Sequence, residues 1–112
     1  MKVGELVPEP NHREPFRRNR ERFIPTESGC YVLTTFELEV LYVGLTNSLR
    51  RRMKEHLDNE AKRAITEKGR PIFFYWLEGE ETARIERTWM ATHLNREGAL
   101  PILNKVFSPV SV

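Results

Sequence analysis

Cysteine is nearly absent. With Cys30 alone in 112 residues, no internal disulfide can form, and the three scattered histidines do not restore the ligand spacing of a zinc site. Cys30 stands beside Gly29 in a strand-like stretch and reads as a small core residue, since a reactive thiol needs an electropositive setting. Long apolar runs are missing as well. Nothing approaches the roughly 18 residues needed to cross a bilayer, and the opening MKVGELVPEP has no apolar segment of the secretory kind. The expectation is a cytoplasmic protein without a membrane partner. Excess charge is lacking too: 18 Lys and Arg against 16 Asp and Glu leave +2, so the total charge points to no partner. Internal repeats and low-complexity tracts are absent, which excludes repeat arrays.

What the chain does contain is one domain's worth of residues and one concentrated stretch of pattern. Gly29-Cys30-Tyr31 opens a run of β-branched and aromatic residues that returns as Val40-Leu41-Tyr42-Val43-Gly44. A short link through Phe36, Glu37, Leu38 and Glu39 makes a hairpin the economical arrangement. The period then changes. Thr46, Asn47 and Ser48 are good N-cap types, and Leu49, Met53 and Leu57 follow every fourth residue, as on a helix. At about 100° per residue Arg52 and His56 fall on that same stripe, while Arg51 and Lys54 point elsewhere. An arginine on an inward face demands an anion. A snorkelling side chain or an internal carboxylate would meet that demand, but two tyrosines, a guanidinium and an imidazole within mutual reach are also the groups of phosphate chemistry.

Residues 58–68 are helix-tolerant and end at Gly69 and Pro71; residues 72–77 form an aromatic run of strand length, packed on both faces. Glu80, Glu81 and Thr82 open a last helix on which Ala83, Ile85, Trp89, Met90 and Leu94 make an apolar arc. Glu86 falls near the middle of that arc, with His93 beside it. A carboxylate there needs a cation, a metal, hydrogen bonds or a raised pKa. Upstream, residues 1–28 read as a basic arm, extended at least to Pro15 by its prolines. Arg17, Arg18, Arg20 and Arg22 form one basic cluster, and Arg50, Arg51, Arg52 and Lys54 a second. Leaving Arg52 to the site, these side chains outline a phosphate-backbone footprint; a merely solvated face is the competing account.

The Gly-Cys-Tyr and Tyr-Val-Gly tripeptides, with Arg52 ten residues after Tyr42 and His56 four after Arg52, resemble the GIY-YIG nuclease family. Cys30 and Val43 stand where the family has isoleucine; the glycines and tyrosines are kept. The resemblance spans residues 29–104 and implies an α/β (α+β) fold, a small three-stranded antiparallel sheet flanked by helices, in a domain of residues 29–112. It also implies that Glu86 binds a single divalent metal, Mg²⁺ or Mn²⁺, and that Pro101 and Asn104 match the family's closing Pro and Asn. The implied catalytic set is Tyr31, Tyr42, Arg52, His56, Glu86 and Asn104. Tyr31 or Tyr42 would act as general base, and His56 would orient a tyrosine or relay its proton. The function so implied is metal-dependent endonucleolytic hydrolysis of nucleic acid, DNA ahead of RNA. Two other readings stand beside it: a non-catalytic nucleic-acid-binding module of the same fold, gripping strands with Phe16, Phe23 and Phe36, and an interaction domain docking its arginines on an acidic protein. Retention of Glu86, Arg52 and both tyrosines together counts against both.

Overall fold

The three strand-like stretches form strands, and a fourth joins them. The computed structural model describes residues 1–104, so residues 105–112 of the expected domain lie outside the described residues. The sheet comprises β1 (His12–Pro15), β2 (Gly29–Thr34), β3 (Val40–Thr46) and β4 (Phe73–Glu78), antiparallel throughout in the order β1-β4-β2-β3. Three helices follow the hairpin and β4: α1 (Leu49–Leu57), α2 (Glu60–Arg63) and α3 (Thr82–Glu97).

The expected sheet of three strands therefore gains one. β1 shows no apolar alternation because it is an edge strand held from one side. His12 stacks on Trp76 with ring centres 5.4 Å apart. Arg13 donates to Tyr75 Oη at 3.0 Å and lies 4.3 Å from the centre of the Phe73 ring. Aromatic side chains of β4 thus bind a segment whose own residues are polar.

The segment expected as an arm packs onto the domain. Met1, Val3, Leu6, Phe16 and Ile24 are buried, with 3-10 turns at Val3–Glu5 and Arg18–Phe23. One core layer lies on the α1 side of the sheet, where Phe16 and Ile24 meet Tyr31, Leu33, Met53 and Phe74. The other lies on the α3 side, where Met1, Val3 and Leu6 meet Val32, Val43 and Trp89. Trp89 Nε1 also donates to Pro8 O at 2.9 Å. β2 is central and wholly buried, alternating its side chains between the layers.

Local signals hold where they are strong. The Ser48 side chain caps α1 by accepting from Arg51 N, and Leu49, Met53, His56 and Leu57 form its buried stripe. The outer edge of β3 is closed by backbone bonds from Val40 N to Met1 O, 2.8 Å, and from Leu103 N to Leu41 O, 2.9 Å. Among the described residues no helix is long and apolar enough to cross a membrane.

The motif glycines are required by space. A Cβ on Gly44 would lie 2.4 Å from Cζ and Oη of Tyr31, and one on Gly29 would lie 2.3 Å from Leu77 O. Gly44→Ala should destabilise the domain by about 2–4 kcal/mol, read from urea denaturation, because the Tyr31 ring cannot retreat from a packed core; an unchanged midpoint would contradict the contact. Deleting residues 1–22 removes the buried core side chains of Met1, Val3, Leu6 and Phe16, worth roughly 1.5–3 kcal/mol each, comparable with a whole domain's net stability of roughly 5–15 kcal/mol. Loss of the cooperative melting transition is expected, and a sharp transition in the truncated chain would show that the segment is dispensable.

Candidate active site

A cleft of about 860 Å³ borders β3 and is lined by Tyr42, Gly44, Arg51, Arg52, Glu86 and Asn104, with Leu45 and Met90 as apolar wall. β3 brings Tyr42 and Gly44, the first turns of α1 bring Arg51 and Arg52, and α3 brings Glu86. Tyr31 and His56 lie behind this surface rather than on it.

Tyr31 is fully buried, stacked on Phe74 with ring centres 5.0 Å apart and planes at 10°. Its Oη lies 2.6 Å from His56 Nε2, and the two rings of Tyr42 and His56 meet edge-on at 5.1 Å. Of the two phenols, only Tyr42 lines the cleft. Burial pushes Tyr31 well above the ordinary tyrosine value, and the neighbouring Tyr42 adds to that shift. Burial raises Tyr42 as well, with Glu86 adding, but a hydrogen bond from Tyr31 and the charge of Arg52 oppose the rise. Of the two phenols, Tyr42 is thus the one whose ionisation its surroundings oppose less. His56 is pushed down to about 3, first by burial and then by the positive charges of Lys62 and Arg52. It is a neutral imidazole at physiological pH and suits orienting Tyr31 better than carrying a proton.

The guanidinium of Arg52 meets one carboxylate, Glu55, at 3.1 Å from Nε. The alignment is too poor for a hydrogen bond, and Nε is the one buried side-chain polar atom without such a partner among the described residues. Because Glu55 is half-exposed, the pair is weak, and Arg52 keeps its capacity for an anion in the cleft. Glu86 is half-buried and makes no hydrogen bond or ion pair among the described residues. Burial raises its pKa, with Arg87 opposing.

No group of three or more His, Cys, Asp or Glu side chains gathers as a metal cage among the described residues. A hard cation such as Mg²⁺ needs none: it keeps several waters and takes one or two carboxylates plus phosphate oxygens. The uncompensated carboxyl of Glu86 fits such an ion. Asn104 spends its amide on β3, accepting from Val43 N and donating to Val43 O at 3.0 Å each. It fastens the strand between Tyr42 and Gly44.

The two basic clusters, separate in sequence, meet on one side of α1. Arg18 pairs with Asp58, Arg20 with Glu14 at 2.8 Å and Lys54 with Glu21 at 3.9 Å. Arg50 donates to Ile24 O at 2.8 Å and Arg22 O at 3.1 Å, so it locks α1 to the N-terminal segment. Arg22 lies over Phe23, 5.0 Å from the ring centre. Arg17 is exposed, and Arg51 reaches the cleft while pairing with Glu55 at 3.5 Å. One residue of this neighbourhood escaped sequence reading. Lys62 is buried, with Nζ 5.1 Å from the centre of the Tyr42 ring; a lysine in a charged, aperiodic stretch carries no signal of burial.

A family model described as the GIY-YIG catalytic domain matches residues 27–98. The chain belongs to the GIY-YIG family. No curated protein matches the chain. The family is made of endonucleases, and nuclease-type cleavage of nucleic acid is the activity at family level. Both tripeptides, α1 and Glu86 of this GIY-YIG domain lie inside the matched span, whereas the Arg17 to Arg22 cluster and Asn104 lie outside it.

The depressed His56 carries a pH consequence. Unfolded, its imidazole protonates near 6.5; folded, only near 3. Stability is therefore complete above about pH 6.5 and is lost as pH falls, by up to about 1.4 kcal/mol per pH unit from this group. His56→Gln should flatten that decline in urea midpoints measured between about pH 7 and 4; equal slopes in the two proteins would mean the imidazole titrates normally.

Proposed function

We propose that this GIY-YIG domain is an active, divalent-metal-dependent endonuclease that hydrolyses phosphodiester bonds, with DNA as its main substrate. The observation that carries the reading is Glu86: a half-buried carboxylate without hydrogen bond or ion pair among the described residues, in the same cleft as Tyr42 and Arg52. Leaving such a group uncompensated costs stability, and a binding module has no use for it.

The chain's own residues divide the work. Arg52 presents a planar fork to the non-bridging oxygens of the scissile phosphate and meets the charge that develops there. Tyr42, ionised, accepts a proton from the attacking water, whose oxygen forms the new bond to phosphorus as the P–O bond to the leaving strand breaks. Tyr31 donates its hydrogen bond to the Tyr42 phenolate, and neutral His56 holds Tyr31 in place. Glu86 would hold a Mg²⁺ or Mn²⁺ ion, whose positive charge would polarise the phosphate and offset the carboxylate that otherwise raises Tyr42. The exposed basic side chains, Arg51 at the cleft and Arg17 on the N-terminal segment foremost, bind the nucleic-acid backbone without reading bases.

The test is cleavage of labelled single-stranded, duplex and branched DNA and RNA with Mg²⁺, Mn²⁺ or EDTA. Cutting should require the metal and fall by at least about 100-fold in Glu86→Gln, Arg52→Ala and Tyr42→Phe, with circular dichroism unchanged. Wild-type rates in Glu86→Gln, or tight binding of the panel with no cutting, would overturn the proposal.

A further inference from the structure

Lys62 is the only lysine or arginine among the described residues with a fully buried side chain, at 1% exposure. It sits on the four-residue helix α2, whose N-cap Asn59 accepts from Ala61 N at 2.9 Å. A lysine surrenders its hydration at that depth only where its charge is put to use. Its Nζ lies over the Tyr42 ring, 5.1 Å from the centre, close enough for an ammonium to be drawn to the π-face. Tyr42 in turn meets the edge of His56, and His56 holds Tyr31. Lys62 does not itself line the cleft, whereas Tyr42, which it faces, does.

We propose that Lys62 is a positioning residue for cleavage: its ammonium holds the Tyr42 ring at the cleft wall and against His56, keeping both phenols in one arrangement. The kinetic part rests on the reading of Tyr42 as the group that takes the water's proton. Among the described residues, the titratable and charged groups that bear on the Tyr42–His56 pair are Tyr31 on β2, Arg52 on α1, Lys62 on α2 and Glu86 on α3. Burial and Arg52 bring Lys62 down to about 8, which leaves it mostly charged at neutral pH. Among the causes that depress His56, Lys62 stands ahead of Arg52. A greasy side chain of equal length would fill the same space, so the charge is what the position adds.

Lys62→Met removes that charge with little change of volume, and Lys62→Arg restores it. Two readouts separate the parts. In the free protein, NMR titration of the His56 ring should move up by about one pH unit or more in Lys62→Met and stay low in Lys62→Arg. In cleavage, Lys62→Met should lower kcat by about tenfold or more with KM within about twofold, and Lys62→Arg should recover most of it. A folded Lys62→Met protein with His56 unmoved and wild-type kcat overturns the proposal. So does wild-type His56 protonating near its ordinary pH, a result that stands even if Lys62→Met fails to fold. If His56 moves as expected but the wild type cuts nothing on the panel, the nuclease reading and the kinetic role fall, while the ammonium's hold on His56 is upheld.

Discussion

The Tyr31 ring occupies the space where a side chain on Gly44 would be, and the rest of the site follows from that substitution of one residue's volume for another's. Tyr31 sits on the central strand, opposite Gly44 of β3 and Trp76 of β4. With Gly44 bare, the ring lies flat between Phe74 and β3, and its hydroxyl emerges at His56. Tyr42, two residues before Gly44, is then on the same face, beside His56 and at the cleft. The pairing of Tyr in one tripeptide with Gly in the other is a packing rule before it is a chemical one.

Charge is arranged around this aromatic group with little regard for stability. Burial opposes ionisation of Tyr31, Tyr42, His56, Lys62 and Glu86 alike. Arg52 recurs in the balance, favouring the phenolates while disfavouring charge on His56 and Lys62. Perturbed groups concentrated at a cleft and directly behind it are a recurrent mark of reacting sites. Elsewhere the charges are ordinary ion pairs, largely exposed and weak.

Much of this was legible in the chain. α1 was, because a cap and a stripe repeating every fourth residue are local facts. The tripeptides were, because strand composition and a short link leave few alternatives. Glu86 was conspicuous on an otherwise apolar arc, and the structure sets it on the cleft. β1 was hidden because His12, Arg13 and Glu14 owe their strand state to the aromatics of β4, some 60 residues away by sequence. The packing of the N-terminal segment was hidden for a similar reason: its buried residues are single apolar side chains scattered among prolines and charges, with no period to betray them. Lys62 is buried by the fold-back of α2, which no local pattern announces. The two basic clusters could be counted but not joined, since pairs such as Arg18 with Asp58 link residues 40 apart.

The closing of the β3 edge bears on how the domain can associate. Met1 and the Leu103–Asn104 turn occupy outer backbone groups of Val40, Leu41 and Val43 in that strand, and the opposite edge, β1, is four residues long and ends in Pro15. Among the described residues, neither border leaves a long run of backbone groups for another strand to extend. What the described surface offers instead is side chains, and the exposed arginines of the α1 side are the most distinctive of these. A polyanion can approach that face without competing for the sheet.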